Sequence, residues 1–238
     1  MSQALYLDDS YMKEFDAVVE SVKDNKYVVL NKTAFYPNMG GQPHDTGRLI
    51  RDSDKKEFPV VYVIKFGNDI SHEVSVPGLK PGEKIKGIID WEPRYKLMRQ
   101  HTAAHVLARV LYNETGANTS GNQLGVDKSR IDFTLENFDR DKIQGWIDKA
   151  NERIRDNIPV KIEETTYNDA MSDNDFSAPS KHLMPKIDRL RVVNIIGLDK
   201  QACGGTHLKN IGEIGKIEFV KAENKGKNNR RIYFKLTE

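Results

Sequence analysis

His101-Thr102-Ala103-Ala104-His105 lies inside a run, Arg94 to Thr115, that reads as one helix ending before Gly116. Pro93 suits the start of that helix, because its missing N–H would be unpaired there anyway. Two histidines at i and i+4 share a helix face with Cβ atoms about 5–6 Å apart, close enough to grip one ion. They share it with Met98, Ala108 and Tyr112, so the face is inward and mostly apolar. A second pair of ligand types stands far downstream, in Cys203-Gly204-Gly205-Thr206-His207, and Cys203 is the only cysteine of the chain. The two glycines let the backbone turn so that both side chains can point inward. Either pair alone is compatible with ordinary packing. Together they offer a thiolate and three imidazoles, a borderline-soft set that suits Zn²⁺ better than Mg²⁺ or Ca²⁺.

Working back from the helix, residues 1–90 read as short strands. Phe15 to Val22 and Tyr27 to Leu30 flank the hairpin signal Lys23-Asp24-Asn25-Lys26. Arg48 to Arg51, Phe58 to Ile64, His72 to Val76 and Ile85 to Asp90 follow, punctuated by Pro77-Gly78 and Pro81-Gly82. Many short strands at close spacing predict a small antiparallel barrel. One stretch, Thr33 to Gly47, does not look like scaffolding. Two prolines give it fixed turns, Gly40-Gly41 allow another body close to the backbone, and Gln42 carries a donor and an acceptor. Trp91-Glu92-Pro93 marks the domain junction.

Beyond the histidine helix, Gly116 to Gly125 is a polar loop or bent strand, and Arg130 to Phe133 alternates as a strand. Asn137 to Asn157 is a second helix, amphipathic through Ile143, Trp146, Ile147, Ala150 and Ile154. Strands are expected at Val160–Glu163 and Leu190–Ile195, and a short helix or turn at Asn168–Asp175. A closing hairpin pairs Lys216–Lys221 with Arg231–Leu236. Its tip carries Lys225, Lys227, Arg230 and Arg231, with Lys221 just before: a solvated face or a phosphate-contacting finger. The fold class is therefore α+β. A small antiparallel β-barrel domain (1–90) is followed by an α+β, zinc-binding domain (91–238).

The 238 residues suit one or two domains, and 38% hydrophobic residues are enough for real cores. The net charge is only +2, so a nucleic-acid partner must be met by local patches. One cysteine makes no intramolecular disulfide, which favours a reducing compartment. No basic-then-apolar leader and no run of 18 apolar residues is present, so a cytoplasmic protein without a membrane span is expected.

Met98 to His105 together with Cys203 to His207 resembles the editing domain of alanyl-tRNA synthetase and its free-standing relatives, the AlaX proteins. The two metal pairs also occur in the related domain of threonyl-tRNA synthetase. The loop Phe35 to Pro43 is similar to the Gly-Gly-Gln loop of the medium-length AlaX class. The resemblance runs from about Leu30 to Lys235 and is specific because loop and ligands occur together. It implies a β-barrel followed by an α+β editing domain, and zinc held by His101, His105, Cys203 and His207. It implies hydrolysis of mischarged tRNA(Ala), chiefly Ser-tRNA(Ala) and also Gly-tRNA(Ala), with Gly40, Gly41 and Gln42 at the active site. The chain has no room for the aminoacylation core of a full synthetase.

An alanine-shaped synthetase site cannot exclude glycine and rejects an added hydroxyl by only about 10². A second site that expects the hydroxyl can spare alanine, because alanine would leave its polar groups unpaired. Thr119, Ser120 and Asn122 are the candidates to read it. Four protein ligands fill a tetrahedral zinc, whereas catalytic sites keep one position open. The metal thus either activates water after losing a ligand or expanding its shell, or orders the site. Two rival readings stand beside the editing hydrolase: a non-catalytic tRNA-binding module with a structural zinc, and a zinc hydrolase of a small ester or amide.

Overall fold

The structure, a computed structural model, describes residues 2–136, 139–177 and 186–238. By internal contacts the chain forms two units, Met1–Leu97 and Met98–Glu238.

The first unit is a closed barrel. A short β1 (Gln3–Ala4) runs parallel to β4 (Lys32–Thr33). The barrel strands are β2 (Glu14–Lys23), β3 (Tyr27–Leu30), β5 (Gly47–Arg51), β6 (Glu57–Phe66), β7 (Asp69–Val74) and β8 (Lys84–Ile89). They close in the order β2-β3-β7-β6-β5-β8, every neighbouring pair antiparallel. The strands are short because turns break them, and alternation decides which side faces in. In β6, Phe58, Val60 and Val63 are buried while Val61 is exposed; the shift from even to odd positions is a register slip between Val60 and Tyr62. The β2–β3 turn needs two successive residues at positive φ, and Asp24 and Asn25 supply them. Gly47 opens β5 where any Cβ would lie 2.1 Å from the Ile88 carbonyl oxygen, so only glycine fits.

A six-stranded barrel has room inside for side chains only. Here the loop after β4 helps to fill it, since Ala34, Phe35 and Tyr36 belong to the barrel core. His72 is buried there too. Its Nδ1–H donates to the Val28 carbonyl at 3.0 Å, and its Nε2 accepts from the Thr33 hydroxyl at 2.8 Å. Burial pushes its pKa down to about 4, so it is a neutral core residue.

The helix α1 (Trp91–Thr115) begins in the first unit and continues into the second. Trp91-Glu92-Pro93, the expected junction, is its first turn. That turn belongs with the barrel because Arg94 is fully buried in it. The guanidinium holds the Asp45 carboxylate, with Nε 2.9 Å from Oδ1, and donates to the carbonyls of Ser10 and Ala34.

In the second unit, β9 (Thr119–Gln123), β10 (Ser129–Phe133), β14 (Lys216–Gly226) and β15 (Asn229–Thr237) form a sheet in the order β14-β15-β10-β9. A second sheet joins β11 (Val160–Thr165), β12 (Leu190–Ile195) and β13 (Asp199–Ala202) in sequence order. The helix α2 (Arg140–Arg155) buries Ile143, Ile147, Ala150 and Ile154, as its periodicity predicts. Asp139 caps it by accepting from the N–H groups of Asp141 and Lys142. The expected first turn at Asn137 and Phe138 lies outside the described residues. Asn151 pins α2 to the sheet, giving and taking a 2.8 Å hydrogen bond with the backbone of Ile217. A short α3 (Tyr167–Ser172) follows β11. No described helix is long and apolar enough to cross a membrane.

The tip of the β14–β15 hairpin is not a uniformly basic finger. Arg230 is buried and donates to Asn224, to the Gly226 carbonyl and to the Glu136 carbonyl, so it builds the turn. Arg231 grips Asp132 at 2.7 and 2.8 Å. A run of like charges in the sequence thus includes side chains with structural work.

Candidate metal centre and adjoining cavity

α1 delivers His101 and His105 one turn apart, both buried. The other pair comes from the segment that leaves β13. Cys203 continues the β12–β13 pairing, its N–H donating to the Arg191 carbonyl at 3.2 Å, and the Arg191 guanidinium returns a bond to the Cys203 carbonyl. Gly204 and Gly205 then turn the chain so that the Gly205 N–H points at Cys203 Sγ, 3.4 Å away. One ligand atom from each of His101, His105, Cys203 and His207 lies within 4.8 Å of all the others.

Zinc bonds of about 2.0–2.3 Å set tetrahedral edges of roughly 3.3–3.8 Å. Cys203 Sγ lies 3.6 Å from His101 Nε2 and 3.3 Å from His207 Nε2. Both of these distances fall in that range, and the four donors fit such an ion in kind.

The groups behind the ligands fix which nitrogen faces the centre. Thr102 donates its hydroxyl to the Met98 carbonyl at 2.9 Å and receives the Leu208 N–H at 3.1 Å. Toward His207 Nδ1, 3.2 Å away, its oxygen must accept, so that nitrogen carries the proton and Nε2 faces Cys203. His105 Nδ1 lies 3.2 Å from the buried Asp199 carboxylate, which orients that ring in the same way. Gln201 secures the carboxylate, donating to it at 2.7 Å.

The electrostatics match. Burial pushes the Cys203 thiol up, but the His101 and His207 imidazoles beside it prevail and hold it well below the usual thiol range. Burial and the neighbouring His101 push His207 well down, keeping it neutral. Burial would also lower His105, yet its bonds to Asp199 and Cys203 raise it to about 10. The same negative charges that hold a proton there would hold a cation.

A cavity of ≈ 270 Å³ opens beside this set, with His101 and His105 in its wall. Ala104 and Ala108 on the same helix leave it room. Thr119, Ser120, Gly121 and Asn122 of β9 also line it, so three of the residues expected to meet substrate share this cavity with two residues of the metal set. Asp199, Gln201 and Arg109 add polar side chains to the lining, and Arg109 donates to the Leu198 carbonyl at 2.8 Å. Sequence reasoning missed these three. A signal existed: Asp199, Gln201 and Cys203 alternate, so an extended segment places them on one side.

Gly40, Gly41 and Gln42 lie in the first unit. Gly40 and Gly41 have φ of 60° and 80° and form an exposed turn closed by paired backbone bonds between Met39 and Gln42. The Gln42 side chain is buried, not extended as a free arm.

The fold and site define a class: a closed barrel followed by an α+β unit that carries a His₃Cys set able to hold a metal ion. Comparison with known proteins specifies it. Residues 190–233 match the family described as threonyl and alanyl tRNA synthetase second additional domain, and residues 3–93 match class II (A) tRNA synthetases. Alanyl-tRNA editing protein AlaX-M of Methanosarcina acetivorans is 51% identical over 99% of both chains. The protein of that name from Saccharolobus solfataricus is 40% identical over 98% of both. The alanine–tRNA ligase of Pyrococcus furiosus is 39% identical over 98% of this chain, which spans 26% of that ligase. The chain belongs to the AlaX family of alanyl-tRNA editing proteins.

Proposed function

We propose that this protein is a zinc-dependent hydrolase that deacylates tRNA(Ala) carrying serine, and also glycine, in the cytoplasm. The observation that carries the reading is the ≈ 270 Å³ cavity lined by His101 and His105 together with Thr119, Ser120 and Asn122. Zinc held by His101, His105, Cys203 and His207 would supply a fixed positive charge and Lewis acidity beside the ester.

This chain's own residues do the selecting. A seryl group in the cavity would place its hydroxyl against the polar side chains of β9. Alanine would leave them without that partner, and such sites discriminate by about 10⁴–10⁵. Glycine lacks the hydroxyl as alanine does, so this contact selects serine alone, and the assignment of glycine rests on the resemblance to the class with the Gly-Gly-Gln loop. Asp199 holds the ring of His105, which keeps that part of the cavity wall fixed while substrate changes, and Thr102 holds the ring of His207. We assign Gly40, Gly41 and Gln42 to the substrate contacts on their resemblance to the Gly-Gly-Gln loop, and the bare backbone of Gly40 and Gly41 permits close approach by a nucleotide. Amide hydrogen exchange over residues 38–42, unchanged by saturating tRNA, would remove the turn from the substrate side.

The deciding experiment is single-turnover deacylation of Ser-, Gly- and Ala-tRNA(Ala), run beside a model amino-acid ester. Rapid loss of serine and glycine with alanine spared is expected. Binding without loss of any amino acid would leave a tRNA-binding module, and loss of the model ester alone would leave a small-molecule hydrolase.

A further inference from the structure

The sheet β14-β15-β10-β9 has two faces, and only one is used by the cavity and the core. Ile131, Phe133, Ile232 and Phe234 are buried on the inner face. On the outer face, cross-strand pairing sets two rows. Lys221, Tyr233, Arg130 and Gln123 lie side by side across the four strands. Glu223, Arg231, Asp132 and Gly121 make the adjacent row.

The charges on this face are unbalanced and ordered. Asp132 is shared by Arg130 at 3.0 Å and Arg231 at 2.7 Å, and Glu223 is shared by Lys221 and Lys225. Lys128 adds a fifth cation, so five cations meet two carboxylates. That local excess of three is larger than the +2 of the whole chain. The cations surround a half-buried aromatic ring. Lys221 Nζ stands 4.6 Å and Lys128 Nζ 5.7 Å from the centre of Tyr233. Lysines over a ring and arginines clamped by a shared carboxylate are held in place before any partner arrives.

We propose that this outer face, centred on Tyr233 with Lys128, Arg130, Lys221 and Arg231, is where the protein holds the sugar-phosphate backbone of its RNA substrate. A row of cations beside an accessible ring is the arrangement that tracks phosphates and stacks a base without reading sequence. Its place in the fold suits the acceptor end. β9 is the edge strand: Asn122 borders the cavity, and the next residue, Gln123, borders this face. Adjacent strands are about 4.8 Å apart, so the β15 cations lie about 10 Å from the edge past which the 3′ end must enter. At the hairpin tip Arg230 is committed to the turn, while Lys225, paired with Glu223, belongs to this face.

The inference rests on tRNA being the substrate, but its test does not require hydrolysis. Uncharged tRNA(Ala) is bound to the full-length protein between about 50 and 200 mM salt, where phosphate contacts dominate the salt dependence. The triple variant Lys128→Ala, Lys221→Ala, Lys225→Ala removes exposed cations and leaves both arginines on Asp132. It is expected to bind at least tenfold more weakly at the lower salt and to lose about 0.7–0.9 of log–log slope per phosphate contact removed. Its single-turnover rate at saturating protein should match wild type while the half-saturating concentration rises. A control with equal charge loss, Lys55→Ala, Lys65→Ala, Lys80→Ala, should keep the wild-type slope. An unchanged slope in the first variant, or an equal loss in the control, would overturn the assignment. A wild-type protein that binds tRNA through this face yet deacylates nothing would overturn the hydrolase reading instead.

Discussion

Asp199 stands behind the metal set, not in it. Its carboxylate fixes the His105 ring, and Gln201 fixes the carboxylate. Removing such a partner usually costs 10–100-fold in metal affinity. Asp199→Asn is therefore expected to weaken zinc binding about 10–100-fold in a chelator competition, with the fold intact by circular dichroism. Wild-type affinity would show that Asp199 does not orient the ligand. The four candidate ligands that the structure brings together were legible in the sequence, because helical i, i+4 spacing and a Gly-Gly turn are local facts. Asp199 was legible only through its alternation with Gln201 and Cys203, since its residue type alone does not distinguish a buried carboxylate from any acidic residue near a strand start. Lys225 and Arg230 make the converse point: sequence groups them by charge, and the structure separates them by burial.

At the scale of elements, alternation and turn chemistry carried most of the barrel. The six barrel strands fall where β-branched and aromatic runs predict them, and Asp24-Asn25 make the turn between β2 and β3. The short β1, β4 and β13 were missed, being too brief to show a period. Two consequences concern elements held by buried polar groups. Arg94 ties the first turn of α1 to Asp45 and two carbonyls. Breaking a buried pair by removing one partner costs about 3–5 kcal/mol, so Arg94→Met should lower the stability of the barrel by that amount in chemical denaturation. A loss below about 1 kcal/mol, the worth of an exposed pair, would contradict it. His72 gives a pH dependence. Its folded pKa is depressed to about 4 from an ordinary 6.5, so the unfolded chain binds the extra proton across that window. Stability is then fully present above about pH 6.5 and is lost as pH falls toward 4, by about 1.4 kcal/mol per pH unit at most. His72→Gln should flatten that part of the profile, and an unchanged slope would place the titration elsewhere.

For the whole molecule, a barrel followed by mixed helix and sheet was legible from the short strands of residues 1–90 and the helices beyond, while α1 runs through the division at Leu97 and Met98. The metal set was legible because its two halves are rare residue types, far apart in sequence, that make sense only together. The cavity was not, because its shape comes from β9, α1 and β13 meeting in space. That cavity carries the central claim. Ala108 lines it together with β9 and is not a metal ligand. Ala108→Trp would fill the space with an indole and leave all four ligands in place. The direct test is the single-turnover rate on Ser-tRNA(Ala), measured with zinc content and affinity for uncharged tRNA(Ala) in the same preparation. We predict zinc and tRNA affinity at wild-type levels, with the rate down at least about 100-fold, as expected when misplacement of the reacting group removes correct orientation. Serine released at the wild-type rate from a protein with the cavity filled would contradict the account.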